Sequence, residues 1–263
     1  MLKIEHLRKT FFPGTVNAKH VFTDLNLTVE DGDFITIIGS NGAGKSTMLN
    51  SIAGSLLPDG GKITLNDKDI TYMPEVERAK YIGRVFQDPM MGTAPNMWIV
   101  ENLALANRRG NKHTLKWGMP KGEELKLIKE QLSMLGLGLE DRLETKVGLL
   151  SGGQRQAITL LMATIKKPDI LLLDEHTAAL DPKTAATVLA ISDKIVKEHN
   201  LTTLMVTHNM QNAIDYGNRL IMMHAGSVIF DVRGEEKKAL TVETLLHKFN
   251  EVGGTVSDAA ILG

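Results

Sequence analysis

The sequence predicts an α/β fold with an N-terminal antiparallel β subdomain and an inserted α-helical subdomain. Three observations predict it. Asp33 to Ile38 reads as a short buried strand, Gly39 to Thr47 is a glycine-rich loop, and Leu49, Ile52, Ala53 and Leu56 then recur at helical spacing. Ile170-Leu171-Leu172-Leu173 is a continuous apolar run, the mark of a central parallel strand covered on both faces. Between these two points the chain changes character, and roughly seventy residues from Asp88 look mainly helical.

Taken in order, Leu2, Ile4 and His6 alternate with Lys3, Glu5 and Leu7, and Val21 to Val29 alternates in the same way, so both read as strands. Asp31-Gly32 is a turn leading into the strand before the glycine-rich loop. Gly54 and Pro58 stop the first helix. Gly61 to Leu65 is expected to pair with residues after an Asn66-Asp67 turn, and Tyr81 to Phe86 reads as a further strand. Met90 to Pro95 is loop, Ile99 to Ala106 a short helix, and Asn107 to Gly122 polar and basic. Leu125, Ile128, Leu132 and Leu135 share one face of a helix over Glu124 to Leu135. A helix opens at Ser151 and stops at Lys167-Pro168-Asp169. A helix over Pro182 to His199, a strand over Thr202 to Val206, a short helix over Met210 to Tyr216 and a hairpin turning at Ala225-Gly226 follow. The tail from Thr241 is read as one helix over Glu243 to Phe249. The expected divisions are 1–87, core with the antiparallel subdomain; 88–162, helical subdomain; 163–240, the rest of the core; and 241–263, the tail.

Bulk properties narrow the classes. With 263 residues the chain can bury a full core. Its 30 basic and 31 acidic residues leave a net charge of −1, which provides no general attraction to nucleic acid. It has no cysteine, so disulfides and thiolate metal sites are excluded. The N-terminus lacks the apolar stretch of a signal peptide, and no run of about 20 apolar residues occurs, so a cytosolic protein is expected.

The loop Gly39-Ser40-Asn41-Gly42-Ala43-Gly44-Lys45-Ser46-Thr47 matches G-x-x-x-x-G-K-[ST]. Its glycines let successive N–H groups turn inward on phosphate oxygens, and the helix N-terminus adds partial positive charge. Lys45 is placed to reach the β- and γ-phosphates of a nucleoside triphosphate, and Ser46 to bind Mg²⁺. Asp174 and Glu175 end the apolar strand, where ligands of open α/β sheets bind. Asp174 is positioned for Mg²⁺ and Glu175 for polarising an attacking water. In Leu150-Ser151-Gly152-Gly153-Gln154 a good N-cap precedes two glycines where helix formers are expected, which suits close approach by a phosphate.

That pentapeptide resembles the LSGGQ signature of the ATP-binding-cassette (ABC) ATPases at every position. The resemblance covers about Leu2 to Asp231 and implies a P-loop NTPase, RecA-like core that binds ATP. It also implies a glutamine before the helical insertion, met by Gln87. An Ala-x-Leu-Asp loop is met by Ala178 to Asp181, and a histidine after the next strand by His208. An aromatic partner for adenine is met by Phe11 or Phe12, with Phe11 preferred by offset. Taken singly, Gln87 is a polar strand end, His208 a loop histidine and the Phe pair core; their order and spacing together favour the family. One departure is visible: His176 stands where the family pattern D-E-P-T has proline, so a less fixed backbone is expected there.

The resemblance further implies two cassettes arranged head to tail, with ATP at Lys45 of one copy capped by Ser151 and Gly153 of the other. Glu175 would orient water, His208 hold the γ-phosphate, and Gln87 touch metal or water and sense the neighbouring subdomain. A partner copy or a related ATPase subunit, separate membrane permease subunits and an extracytoplasmic solute-binding protein are implied, with the chain on the inner face of the cell membrane. Import is favoured over an exporter subunit or a non-transport ABC ATPase such as an iron–sulfur assembly type. The stretch Asp174 to Pro182 resembles importer ATPases, some of them linked to aromatic amino acids. Met90, Met91, Pro95, Met97 and Trp98 are read as a permease-docking surface or as subdomain core. Arg108, Arg109, Lys112, Lys116 and Lys121 are read as a solvated basic face.

Overall fold

The computed structural model describes residues 1–111 and 119–253. In chain order β1 (Leu2–Phe11) and β2 (Lys19–Val29) lead to β3 (Phe34–Gly39) and α1 (Lys45–Ala53). Next come β4 (Gly60–Leu65), β5 (Lys68–Asp69), α2 (Glu75–Arg78) and β6 (Ile82–Val85). The helical stretch holds α3 (Ile99–Asn107), α4 (Glu123–Ser133), a 3₁₀ turn (Val147–Leu149) and α5 (Gly152–Thr164). Then follow β7 (Ile170–Asp174), α6 (Pro182–His199), β8 (Thr203–Val206) and α7 (Met210–Asp215). Last are β9 (Arg219–His224), β10 (Ser227–Arg233), α8 (Gly234–Lys238) and α9 (Val242–Gly253). The chain forms two compact units, Met1–Arg78 with the chain from Leu201, and Ala79–Asn200.

The first unit contains an antiparallel sheet ordered β2-β1-β4-β5 and the strands β10-β9-β3-β8. β3 runs parallel to both neighbours, with Ile35 opposite Leu204 on one side and Arg219 on the other. Both faces of β3 are covered, so Phe34 to Ile38 are all buried. Thr36 is accommodated because its hydroxyl donates to Ala213 O of α7 at 2.7 Å. β4 pairs with β1 as well as with β5, a long-range partner that local pattern does not reveal.

One strand reading is corrected. His6 does not share a face with Leu2 and Ile4: it is exposed with φ +52°, and Leu7 is buried instead. Between Ile4 and Leu7 the β1–β2 register gains one residue on β1, and this bulge reverses the alternation.

Arg78 closes the base of α1. Its fully buried guanidinium donates to Ser51 O and Ile52 O, carbonyls of the last turn of α1, at 2.7 and 2.8 Å, and to Met73 O and Thr71 O. A cation at a helix C-terminus suits both the orphan carbonyls and the dipole.

In the second unit β6 lies parallel to β7, with Val85 opposite Leu173. Ile128, Leu132 and Leu135 pack inward as the α4 spacing predicts, together with Leu103, Leu139 and Leu160. Arg109 departs from the solvated reading: its Nη2 donates to Ala163 O and Lys166 O, and it staples the end of α3 to the end of α5. Lys112 and Lys116 lie outside the described residues. Among the described residues, no helix is long and apolar enough to cross a membrane.

Candidate nucleotide site

The glycine-rich loop occupies the carboxyl end of β3, and His208 lies just beyond the carboxyl end of the adjacent parallel strand β8. The N-cap of α1 is Gly44 with φ +101°, a left-handed conformation that an L side chain resists. A methyl there would also meet the Phe22 ring at 2.5 Å. Among the described residues, no side chain caps α1 and no acidic residue stands in its first turn. The positive end of the helix at this loop suits an anion. Lys45 is buried, and its Nζ folds back to donate to Gly39 O at 2.7 Å and Ser40 O at 3.2 Å. Ser46 and Asn41 are exposed, and Thr47 is half-buried.

Phe11 ends β1 half-buried, with Lys9 Nζ 5.9 Å from its ring centre, while Phe12 is 67% exposed. Opposite Phe11 in the ladder stands Lys19, whose Nζ comes within 3.5 Å of where a Cβ on Gly42 would sit. No motif marks Lys19, because only the β1–β2 pairing carries it to the loop.

Gln87, Ser151 to Gln154, Asp174, Glu175 and Asp181 all belong to the second unit. Ser151 is the N-cap of α5: its Oγ accepts from Gln154 N at 3.3 Å, and the Gln154 side chain accepts from Ser151 N at 3.2 Å. This is the reciprocal capping box. The two glycines also have a reason within the chain. A methyl on Gly153 would sit 2.1 Å from Thr184 Cγ2, and one on Gly152 3.0 Å from Leu180 Cδ2. The signature turn therefore packs on the start of α6, whose N-cap Asp181 accepts from Thr184 N at 3.1 Å. Hydrogen bonds from the Thr184 side chain and then its backbone N–H lower the Asp181 carboxyl below its ordinary pKa.

A matching family model, described as ABC transporter, spans residues 22–178. The chain belongs to the ABC transporter family. A tyrosine transport ATP-binding protein of Clostridioides difficile is 48% identical over 249 residues, covering 95% of this chain and 98% of that protein. A carnitine transport ATP-binding protein of Listeria monocytogenes is 36% identical over 89% of this chain and 56% of its own length. Among solved structures, the dimeric post-hydrolysis state of the ATP-binding cassette MJ0796 bound to ADP and Pi is similar. It has a TM-score of 0.74 and 30% identity, over 89% of this chain and 98% of that one. The chain is an ATP-binding subunit of an ABC transporter, and an ATPase with the P-loop NTPase fold.

In this cassette Asp174 ends β7 half-buried, with Arg84 Nη2 3.7 Å from its Oδ2. Arg84 faces Leu172 across the parallel pair and stacks on the Phe86 ring at 4.4 Å. Glu175 follows with φ +47°. Gln87 is exposed two residues past β6, and Gln156 of α5 braces this turn by donating to Phe86 O at 3.0 Å. Arg155 braces the turn before the signature through Val147 O, Gly148 O and Leu150 O. Asn102 is 1% exposed and holds the loop Ala94 to Trp98 through Ala94 N, Ala94 O and Trp98 O. Sequence reading missed these three braces; a polar residue on an apolar helix face was the available signal. Met90, Met91 and Trp98 are 40, 69 and 36% exposed, so they form surface rather than core.

His176 is buried, and its Nε2 lies 3.0 Å from Ser192 Oγ. Burial pushes its pKa down to about 4, so the ring is neutral at physiological pH. This contact anchors the His176 side chain to α6. Among the described residues, no group of three or more His, Cys, Asp or Glu could hold a metal. Ser46, Gln87 and Asp174 each carry a hard oxygen donor, the ligand chemistry Mg²⁺ takes, and Mg²⁺ needs few protein ligands because phosphate and water complete its shell.

Proposed function

We propose that the cassette powers solute import through separate permease subunits, acting as one of a head-to-tail pair. The observation that carries this reading is the near full-length similarity to a transport ATP-binding protein, with a single P-loop and a single signature turn in the chain. Each ATP would lie on Gly39 to Thr47 of one copy and against Ser151 to Gln154 of its partner, with Phe11 or Lys19 at the nucleoside end. Homologues named for tyrosine, carnitine, spermidine and methionine transport favour import, and the tyrosine relative points to an aromatic amino acid as cargo. Residues on this chain do not contact that cargo, which the permease and a solute-binding protein would recognise. The exposed Met90, Met91 and Trp98 support docking of a permease at the inner face of the membrane.

Phosphoryl transfer asks the protein for positioning and charge stabilisation. Lys45 and the α1 N-terminus would hold the β- and γ-phosphates. Ser46, Asp174 and Gln87 would hold Mg²⁺, which when bound neutralises developing phosphate charge. Glu175 would accept the proton of the attacking water, and His208 would hold the γ-phosphate. The Glu175→Gln variant tests this assignment. Turnover should fall about 10²–10⁴-fold while ATP binding persists and the ATP-bound dimer accumulates in size-exclusion runs. Near wild-type turnover would remove Glu175 from the role of base.

A further inference from the structure

His176 stands where the family pattern has proline, and the structure gives it a specific partner. Ser192 Oγ donates to Val188 O of α6 at 2.8 Å. Its hydroxyl hydrogen is thereby committed, so at 3.0 Å it is placed to accept from His176 Nε2. Both residues are buried, at 2% and 1% exposure, where water cannot replace a lost partner.

This bond lies next to a left-handed backbone position in the turn after β7. Glu175 has φ +47°, a left-handed conformation that a non-glycine residue keeps only when its surroundings over-determine it. Restraints act on the residues that follow it. Ala178 N donates to Glu175 O at 2.9 Å and closes the turn from the C-terminal side. The ring of His176 ties the residue directly after Glu175 to the middle of α6. α6 is itself fixed at its start by the Asp181 cap. A proline at 176 would restrain the same backbone covalently through its ring; here a side-chain hydrogen bond takes that task.

We propose that His176 is the positioning residue for Glu175, acting through its Nε2–H bond to Ser192 to hold the backbone that presents the Glu175 carboxylate. The proposal rests on Glu175 being the general base. A carboxylate misplaced by part of an ångström loses in-line activation of water without losing the nucleotide, whose phosphates rest on another loop.

Steady-state ATPase kinetics and thermal unfolding of the full chain test it with His176→Ala, Ser192→Ala, His176→Gln and Glu175→Gln. His176→Ala and Ser192→Ala should lower kcat on the order of 10-fold or more with the KM for ATP little changed. His176→Gln should restore most of kcat, because the glutamine amide nitrogen can donate to Ser192 from nearly the place of Nε2. If His176→Ala does not fold, Ser192→Ala and His176→Gln carry the same comparison. A fall in Tm with unchanged kcat, or no rescue by glutamine, overturns the proposal while leaving Glu175 as base. Near wild-type turnover of Glu175→Gln overturns the base assignment, and the proposal with it.

Discussion

Replacing Gly153 with alanine separates two reasons for a glycine in the signature turn. The new methyl would sit 2.1 Å from Thr184 Cγ2 and 4.0 Å from Val188 Cγ2. Carbon atoms pack at about 3.5–4.0 Å, so the first contact is an overlap of more than 1 Å and the second is ordinary. Thr184 Cγ2 cannot withdraw freely, because a β-branched side chain is stiff at χ1 and the backbone beneath it is held by the Asp181 cap. Overpacking of this kind costs about 1–3 kcal/mol, and replacing a helical glycine returns at most about 1 kcal/mol. The expected net loss is about 1 kcal/mol, a Tm fall of roughly 2–4 °C for a chain of this size. Thr184→Ala removes the clashing atom, so the double variant should recover the loss with a coupling of about 0.5–3 kcal/mol. Thermal unfolding of the four proteins reads this directly, and additivity within about 0.5 kcal/mol would refute the packing explanation. ATPase assays of the same set read the second reason. If a partner's nucleotide approaches the Gly153 backbone, turnover stays low in the double variant although stability has returned.

Two further outcomes are expected. Arg78→Met removes the guanidinium from four carbonyls around the end of α1, three of them in buried bonds, and should destabilise the fold by about 3–5 kcal/mol, with Arg78→Lys recovering only part because one ammonium cannot match the guanidinium fork; chemical denaturation showing a loss below about 1 kcal/mol would contradict the assigned role. Trp98→Ala should leave the ATPase of the isolated chain intact while weakening its recovery with membrane proteins in a pull-down, and unimpaired recovery would count against docking at this surface.

Much of the site was legible because its chemistry is local. The P-loop needs consecutive N–H groups at a strand–helix junction, and nine adjacent residues specify that arrangement. The Ser151 cap is likewise written within four residues of sequence and forms as expected, and Asp181 caps α6 by the same local geometry. The short helices α2 and α8 left no signal, since four or five residues carry no period. The β1 bulge at His6 was also invisible, because one inserted residue alters the ladder without altering composition.

Most of the order of the longer strands and helices, the glycine-rich loop, the acidic strand end and the signature turn were thus readable from the sequence alone. Each of these depends on neighbours a few residues apart. Only tertiary structure decided that Gly153 must make room for Thr184, that Arg78 closes the helix behind the P-loop, and that His176 is tied to Ser192. The physical reason is the same in all three. Burial makes an unmatched atom or an overlapping methyl costly, and which atoms meet inside is set by the packing of elements distant in the chain.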